Sequence, residues 1–178
     1  MKLLTARLVL REFDPGDVPT VLAYQSDPRY LRHTTWASRS ETDVRNFVEM
    51  MMSWARQDPR TKFQLAITHE GVLIGNCGVR KLNSDSFEAE YGCELAPSAW
   101  GRGYAEEASR ALLSIGFESL NISRIIANTT RHNAAALALA LRLGFHEEAC
   151  RRGHDLIGEP SQEMVVLSLH AREWQTRT

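Results

Sequence analysis

Residues 87–105 read FEAEYGCELAPSAWGRGYA, and this stretch decides the fold. Its first half alternates between apolar and polar residues, which predicts a half-buried β-strand over residues 87–95. Its second half carries Pro97, two glycines and small side chains, which predict a tight turn. A helix is predicted to begin at Tyr104, so the stretch comprises a strand, a turn and a helix start in succession.

The chain before this stretch predicts helices followed by an antiparallel meander. Apolar and polar residues alternate in several short segments, and turn residues such as Glu70-Gly71 separate them. Apolar residues three and four positions apart predict an amphipathic helix, and Asp14-Pro15 indicates the start of an earlier one. The predicted elements are a strand over residues 7–13, a helix over residues 40–57 and strands over residues 63–68 and 72–80.

The chain after this stretch alternates between helices and strands. Asn133 is a helix cap, and Gly144 is a good C-terminal stop for the same helix. Strand–helix–strand order predicts one parallel pair of strands. No repeat, linker or low-complexity segment interrupts the pattern, so we expect a single domain over residues 1–178. The other predicted elements here are a helix over residues 104–119 and strands over residues 124–130 and 164–169.

The composition excludes several classes of protein. With 21 basic and 22 acidic residues, the net charge of −1 gives no broad positive field for nucleic acid. The three cysteines are widely spaced, so we expect free thiols and no metal. Arg7 and Arg11 interrupt the apolar run near the start, which argues against a signal peptide. No stretch approaches the roughly 20 apolar residues of a membrane helix, so we expect a cytoplasmic protein without a membrane partner.

The turn between the strand and the helix has features of an anion-binding site. Gly101 and Gly103 let the backbone curl tightly and approach a ligand. The first N–H groups of a helix lack partners within it and lie at the positive end of its dipole. This arrangement suits a diphosphate, with Arg102 at its rim. The alternative is an ordinary glycine-containing turn, since neither a P-loop lysine nor a complete dinucleotide fingerprint is present.

An ordered series of short motifs runs through nearly the whole chain. The motifs are TARLVLR (5–11), LIGNCG (73–78), AEYG (89–92), LAP (95–97), WGRGYA (100–105), EA (107–108), NAA (133–135), GF (144–145) and REW (172–174). Through them the sequence resembles the GNAT superfamily of acyl-CoA N-acyltransferases, specifically the RimJ/RimL-like branch of ribosomal-protein N-acetyltransferases. One such motif is weak evidence, whereas the whole series in this order is specific.

This resemblance implies a GNAT fold of the α/β (α+β) class. Its central sheet is mixed and mostly antiparallel, with six to seven strands, a splayed parallel pair and about four flanking helices. A bulge in the strand of residues 87–95 is implied to splay it from residues 124–130, so that the pantetheine arm of acetyl-CoA lies between them. The implied CoA-binding residues are Cys93, Leu95, Ala96, Trp100, Gly101, Arg102, Gly103, Tyr104, Ala105, Asn133 and Ala136.

Transfer of an acyl group from a thioester needs a neutral amine, and therefore a base suited to the pKa of that amine. By its position in the AEYG motif, Glu90 is the first candidate, acting through water, and Glu94 is the second. His132 is the third, because a nearby helix N-terminus keeps an imidazole neutral and basic. The alternatives are a solvated carboxylate face and an ordinary surface histidine. An N–H near residues 93–95 is the expected oxyanion donor.

The chain departs from the family's pattern at its proton donors. Ala136 replaces a serine that is frequent in the branch, Ala140 replaces a tyrosine of other members, and Ile126 replaces a common glutamate. Water or another group must then protonate the leaving thiolate, or turnover is slow, or the fold serves binding. Cys93 allows an acyl-cysteine route, but no histidine lies near it in sequence, and a small buried residue is favoured.

The segment of residues 30–36 mixes aromatic and polar side chains, and we expect it to shape the acceptor pocket. Packing in the core is an equal alternative for its aromatic residues, and its positive charges argue against a polyamine acceptor. The sequence favours an N-acetyltransferase for a protein N-terminus or a small-molecule amine, as a monomer or a homodimer. The alternative is a module that binds acyl-CoA without turnover. The predicted acceptor-binding residues are Tyr30, Arg32, His33, Trp36 and Trp54.

Overall fold

Eight strands form one open sheet in residues 1–34, 36–152 and 163–176, the ranges that this computed structural model describes. The strands are β1 (Lys2–Leu4), β2 (Leu8–Arg11), β3 (Lys62–His69), β4 (Val72–Lys81), β5 (Glu88–Leu95), β6 (Arg124–Thr130), β7 (His146–Arg152) and β8 (Glu163–His170). Their order is β1-β2-β3-β4-β5-β6-β8-β7, and every neighbouring pair is antiparallel except β5 and β6. The mixed, mostly antiparallel sheet is therefore confirmed.

The sheet has eight strands rather than the predicted six to seven, because the sequence pattern misses both edge strands. β1 has three residues, too few to show an alternation. β7 reads HEEACRR, a polar sequence without apolar periodicity, and β8 is its one partner in the described part of the chain. Backbone pairing with one neighbour, rather than a buried face, makes these segments strands.

The described residues contain six α-helices and two short 3₁₀ turns, rather than about four helices. Four of the helices have eight residues or more and correspond to the predicted ones. No helix within the described ranges is both long and apolar enough to cross a membrane. The helices are α1 (Val18–Gln25), α2 (Pro28–Leu31), α3 (Glu41–Ala55), α4 (Tyr104–Leu120), α5 (Ala134–Leu143) and α6 (Ala171–Gln175).

The predicted cap Asn133 and stop Gly144 of α5 are confirmed, and α3 ends at Ala55, two residues before the predicted end. Ser40 and Asp43 form a reciprocal capping box at the start of α3. The Asn133 side chain accepts a hydrogen bond from the N–H of Ala136 at 3.1 Å. Gly144 ends α5 with φ = 98°, a left-handed conformation that favours glycine.

Helices cover the sheet on both faces. On one face, α4 buries Leu112 and Leu113 completely in a core cluster that includes residues of α5 and most strands. On the other face, α1 and α3 pack over β3 and β4, with Val44 and Val48 of α3 among the buried residues. The apolar stripe of each helix thus meets the apolar face of the sheet, as amphipathic periodicity predicts.

The parallel strands β5 and β6 pair only over their first halves. Their ladder ends at the pair Tyr91 and Ala127, although β5 continues to Leu95 and β6 continues to Thr130. The other edge of β5 remains paired with β4 throughout. The splayed parallel pair is therefore confirmed, and the second half of β5 has a backbone edge that β6 does not cover.

The expected bulge in β5 is wrong. Pairing between β4 and β5 continues from Ala89 to Leu95 of β5 without any shift of register. The opening thus comes from the divergence of β6 and not from an extra residue in β5. Because the alternation of β5 is intact, Glu90 and Glu94 lie on the same face of the sheet.

Leu112→Ala should lower the free energy of unfolding by about 2–5 kcal/mol, because it leaves a cavity in the core. Leu141→Ala is the matched control, since Leu112 is 0% exposed on α4 and Leu141 is 61% exposed on α5. The control should lie within about 0.5 kcal/mol of the unsubstituted protein. Urea unfolding followed by circular dichroism measures both, and equal losses would contradict the packing of α4 on the sheet.

Candidate active site

The turn before α4 contains two glycines in the left-handed region. Gly101 has φ = 73° and Gly103 has φ = 77°, a conformation that costs other residues about 1–2 kcal/mol. A Cβ built on Gly101 would meet no atom within 4 Å, so the space beside the turn is open. The backbone is therefore accessible to a ligand at this position.

The N–H groups of this turn have no partners in the described part of the chain. After Trp100, the first N–H that donates is that of Glu107, which bonds the carbonyl of Gly103 at 3.1 Å. The N–H groups of residues 101–106 lie at the positive end of the 17-residue helix α4. Such a set of donors is suited to a phosphate.

An ion pair from the start of the chain braces the turn. Arg7 Nη1 donates to the carbonyl of Arg102 at 3.0 Å, and Arg7 Nε donates to Glu107 at 2.7 Å. Thr5 Oγ1 donates to the same carboxylate at 2.6 Å. Burial acts to raise the pKa of Glu107, but the hydrogen bonds from Thr5 and Arg7 outweigh it and lower that pKa. Arg7 and Glu107 are 100 positions apart, so no local sequence pattern predicts their contact.

Trp100 connects the turn to the open end of β5. Its indole N–H donates to the carbonyl of Leu95 at 2.8 Å, while 41% of the residue stays exposed. The ring of His33 lies edge-on, with its centroid 6.0 Å from that of Trp100. The segment after α2 therefore reaches the same end of the sheet.

A cleft of about 400 Å³ lies between α3 and the sheet. Its α3 wall is apolar, whereas its strand floor carries charged and amide groups. Both carboxylates that the sequence selects, Glu90 and Glu94, belong to the floor. The lining residues are Phe47, Met50, Met51, Trp54, Gln64, Asn76, Arg80, Glu90, Gly92, Cys93 and Glu94.

Glu94 accepts hydrogen bonds from four neutral side chains. Its Oε2 accepts a short hydrogen bond from the hydroxyl of Tyr30. The donors to Oε1 are Tyr24 Oη at 2.7 Å, Gln25 Nε2 at 2.9 Å and Asn76 Nδ2 at 2.5 Å. Because a carboxylate has about four acceptor positions, most of the capacity of Glu94 is already in use. The arrangement holds α1 and α2 to the sheet.

Two guanidinium groups support this carboxylate through intervening amides. Arg39 donates to the Gln25 amide at 2.9 Å, and Gln25 in turn donates to Glu94. On the other side, Arg80 donates to the amide oxygen of Gln64 at 2.5 Å. The Gln64 amide donates in turn to Asn76, and Asn76 donates to Glu94. Such connected networks strengthen one another in a low-dielectric site. Among the described residues, the negative charge of Glu94 is thus stabilised without a direct ion pair.

The tyrosines around Glu94 remain protonated over the physiological range. Burial, followed by the charge of Glu94, raises the pKa of Tyr24 and that of Tyr30 well above the ordinary value of a phenol. Both hydroxyls are therefore fixed as hydrogen-bond donors to the carboxylate.

Glu90 has a looser environment than Glu94. Its side chain is 43% exposed, and its nearest cation is Arg80 Nη2 at 3.5 Å. The amide of Asn128 donates to it at 3.3 Å. Both contacts are longer than charge-assisted hydrogen bonds, which are typically about 2.7–2.9 Å. Glu90 can therefore still bind a water or an amine.

Cys93 is poorly suited to act as a nucleophile. Burial raises the pKa of its thiol to about 11, and it also raises the pKa of Cys77. Because the thiolate is the reactive form, a thiol with such a pKa is nearly inert at neutral pH. The raised pKa of Cys93 therefore argues against an acyl-cysteine route.

The remaining catalytic and CoA-binding candidates lie around the start of α5. His132 is exposed in the turn between β6 and α5, and it does not line the cleft. Asn133 uses its side-chain oxygen to cap α5, and Ala136 supplies the capped N–H. Ala140 is buried in the core and offers no polar group.

The predicted acceptor residues lie in different surroundings. Tyr30 is buried and donates a hydrogen bond to Glu94, and Trp54 lines the wall of the cleft. Trp36 is 37% exposed, with the Arg39 guanidinium 5.1 Å from its ring centroid. Arg32 is exposed, as is His33. Thr35 of this segment lies outside the described residues. The sequence missed the donors Tyr24, Gln25 and Asn76, since no local pattern links them to Glu94.

Tyr30→Phe should lower the free energy of unfolding by about 1.5–3 kcal/mol, because it removes a hydrogen bond to a charged group. Tyr104→Phe is the control, since that hydroxyl bonds the imidazole of His69 at 3.0 Å and should cost about 0.5–1.5 kcal/mol.

The raised pKa of Tyr30 adds a pH dependence to this comparison. The stabilisation that the Tyr30 hydroxyl contributes is fully present below about pH 10, the pKa of a tyrosine in the unfolded chain. It is lost as the pH rises through the higher pKa of Tyr30 in the folded protein. The difference between Tyr30→Phe and the unsubstituted protein should narrow above about pH 10 in urea unfolding. A difference that grows with pH would contradict the assignment.

Comparison with known proteins agrees with the resemblance. A family model described as an acetyltransferase (GNAT) domain matches residues 7–146. The uncharacterized N-acetyltransferase p20 of Bacillus licheniformis is 29% identical over 97% of each chain. The ribosomal protein uS5-alanine N-acetyltransferase of Escherichia coli is 26% identical over 98% of this chain and 93% of that protein.

Solved structures show the same fold at low sequence identity. RimL, a ribosomal L7/L12 alpha-N-protein acetyltransferase solved with coenzyme A, has a TM-score of 0.83 and 18% identity, covering 96% of this chain and 98% of that one. A spermidine N-acetyltransferase from Vibrio cholerae, solved with CoA and spermine, has a TM-score of 0.80 and 18% identity, covering 96% of this chain and 99% of that one. Because the family model spans most of the sequence, this chain belongs to the GNAT family of N-acetyltransferases.

Proposed function

We propose that this chain transfers an acetyl group from acetyl-CoA to a primary amine while both are bound. The observation that carries the proposal is the position of the open edge of β5 next to the unpaired N–H groups that begin α4. An extended arm with amide groups can pair with a strand edge, and a diphosphate can bind a helix start. Coenzyme A has both groups in one molecule.

The residues present fit this co-substrate. The open space at Gly101 and the unpaired N–H groups of residues 101–106 suit a diphosphate. The backbone of Cys93 and the N–H of Leu95 are proposed to pair with the pantetheine amides, whereas the N–H and carbonyl of Ala96 already bond Ile74 and Ala99 and would only border the arm. Asn133 and Ala136 are proposed to border the same ligand from the start of α5. When bound, acetyl-CoA supplies an acetyl thioester that is reactive toward neutral amines.

Glu90 is proposed as the base that takes a proton from the amine, through a water molecule. It shares the cleft with Glu94, but its contacts with Arg80 and Asn128 are long and its side chain is half exposed. Glu94 is assigned the role of holding α1 and α2 in place, because its acceptor positions are nearly filled. His132 is the weaker candidate, since it does not line the cleft.

The acceptor is proposed to be an α-amine, or a similar small amine, next to an apolar group. The α3 wall of the cleft presents Phe47, Met50, Met51 and Trp54, which suit an apolar body. The floor presents a carboxylate that suits the amine. A polyamine would need several further anionic groups, whereas the exposed residues Arg32 and His33 in the nearby segment are basic or neutral.

Release of thiol from acetyl-CoA tests the proposal directly. The assay uses a peptide with an apolar first residue, an apolar amino-acid amide and spermidine as acceptors. We expect saturable release with the first two and the lowest kcat/KM with spermidine. Binding of CoA without release for any acceptor would instead indicate a non-catalytic acyl-CoA-binding module. Failure to bind CoA at all would contradict both functions.

Glu90→Gln should lower kcat by roughly 100- to 10,000-fold at neutral pH, the usual contribution of a general base. The KM for acetyl-CoA should stay unchanged, and the loss should shrink at pH values where the amine is already neutral. Glu88→Gln is the matched control, because Glu88 lies on the same face of β5 and pairs with Arg124 at 2.6 Å. A variant with the full rate at every pH would remove Glu90 from the role of base.

A further inference from the structure

Two histidines and a glutamate meet at the edge of the sheet, and none of them lines the cleft. His146 and Glu148 lie on β7, and His170 is the last residue of β8. One nitrogen from each imidazole and one carboxylate oxygen all lie within 4.8 Å of one another. The imidazole rings are nearly parallel, at 14°, with centroids 5.8 Å apart. Imidazole and carboxylate are common ligands of divalent transition metals.

The strand register places these side chains on one face. His146 pairs with Ser168, so His170 is its diagonal neighbour across the two strands. Glu148 is the extra residue where the register between β7 and β8 shifts, which makes it part of a β-bulge. Bulges re-aim side chains at sheet edges. The cluster is therefore built by pairing geometry and has no signature in the spacing of the sequence.

His146 and Glu148 each have neighbours that orient them. Ser168 Oγ donates to Glu148 Oε1 at 2.7 Å and lies 3.2 Å from His146 Nε2, so these two ligand atoms converge on one point. Behind the ring, His146 Nδ1 lies 3.8 Å from Glu173 Oε2. This separation is longer than a hydrogen bond, but it places a carboxylate on the side of the second nitrogen, where metal-binding histidines usually have a hydrogen-bond acceptor. Arg124 bonds the other oxygen of Glu148 and holds that carboxylate in position.

We propose that His146, Glu148 and His170 bind one divalent transition-metal ion of the Zn²⁺ type. Two imidazoles and one carboxylate give three protein ligands, which leaves a fourth tetrahedral position for water. The ion would connect the edge strand β7, which pairs only with β8, to the start of α6. Its role is thus to stabilise the sheet edge, independently of acetyl transfer. The expectation of no metal rested on sequence spacing, which cannot detect a set assembled across strands.

The existing contacts are compatible with such an ion. Arg124 places a positive charge beside the proposed cation site, because it pairs with Glu148. It also pairs with Glu88 at 2.6 Å, so two carboxylates share its positive charge. Arg124 uses Glu148 Oε2, whereas Oε1 is on the side of Ser168 and His146. The ion therefore has to replace the contact between His146 Nε2 and Ser168, while the ion pair of Glu148 can stay.

Calorimetric titration of the metal-free full chain with Zn²⁺ alone tests this site, together with thermal melting with and without Zn²⁺. We expect one equivalent to bind and the melting temperature to rise. His146→Ala, His170→Ala and Glu148→Gln should each weaken binding at least about tenfold, because even second-shell changes lower metal affinity by roughly 10- to 100-fold. Mg²⁺ should bind far more weakly, since it prefers oxygen ligands.

Two matched variants separate this site from other metal-binding groups. Glu147→Gln changes the neighbouring carboxylate, which pairs with Arg131 instead, and should leave Zn²⁺ binding unchanged. Cys150→Ser removes the exposed thiol on the same strand and should also leave it unchanged. Binding that survives both histidine substitutions, or disappears with Cys150→Ser, would overturn the proposal. Absence of any saturable Zn²⁺ binding would overturn it as well.

Discussion

The end of the hydrogen-bond ladder between β5 and β6 is the constraint on which the rest of the site depends. Up to Tyr91 the two strands satisfy each other's backbone groups, and beyond it they diverge while β4 keeps β5 straight. Buried backbone groups without partners are costly, so this edge is stable only beside water or a ligand that can replace the missing strand. After Leu95, at the end of this open edge, the chain passes through a glycine turn into α4. The unpaired N–H groups of the turn and helix start therefore lie next to the open edge.

Intact alternation along β5 then gives two carboxylates on one face very different surroundings. Glu94 lies under α1 and α2, where two tyrosines and two amides satisfy it, whereas Glu90 lies in the half of β5 that pairs with β6 and has long contacts to Arg80 and Asn128. Environments that separate the properties of neighbouring carboxylates commonly mark a division of roles in enzymes. Here the better-held carboxylate, Glu94, connects α1 and α2 to the sheet, and the more exposed one, Glu90, is the one to which we assign the proposed role of base.

The sequence predicts what is local and misses what is assembled at a distance. The caps at Ser40 and Asn133 and the stop at Gly144 follow from side-chain chemistry within a few residues, so the main helices are predictable. The partners of Glu94 are not, because Tyr24 lies 70 positions away and no periodicity connects them. The edge strand β7 is missed for a related reason: its sequence is polar, and only pairing with β8 defines it. The wrong bulge in β5 was inferred from family resemblance, whereas the uniform register reflects this chain's own pairing.

The loss of the usual proton donors is less serious than the loss of a base would be. A thiol with a pKa of about 8.5 leaves as a thiolate at pH 7.5 at a cost of about 1.4 kcal/mol, one pKa unit. Deprotonating a lysine amine of pKa about 10.4 at the same pH costs about 4 kcal/mol, whereas an α-amine near 8 costs less than 1 kcal/mol. If Glu90 is the base, as proposed, a low-pKa amine asks far less of it than a lysine side chain does. The absent donors concern only the thiolate, so the pKa of the acceptor amine is the stronger energetic constraint.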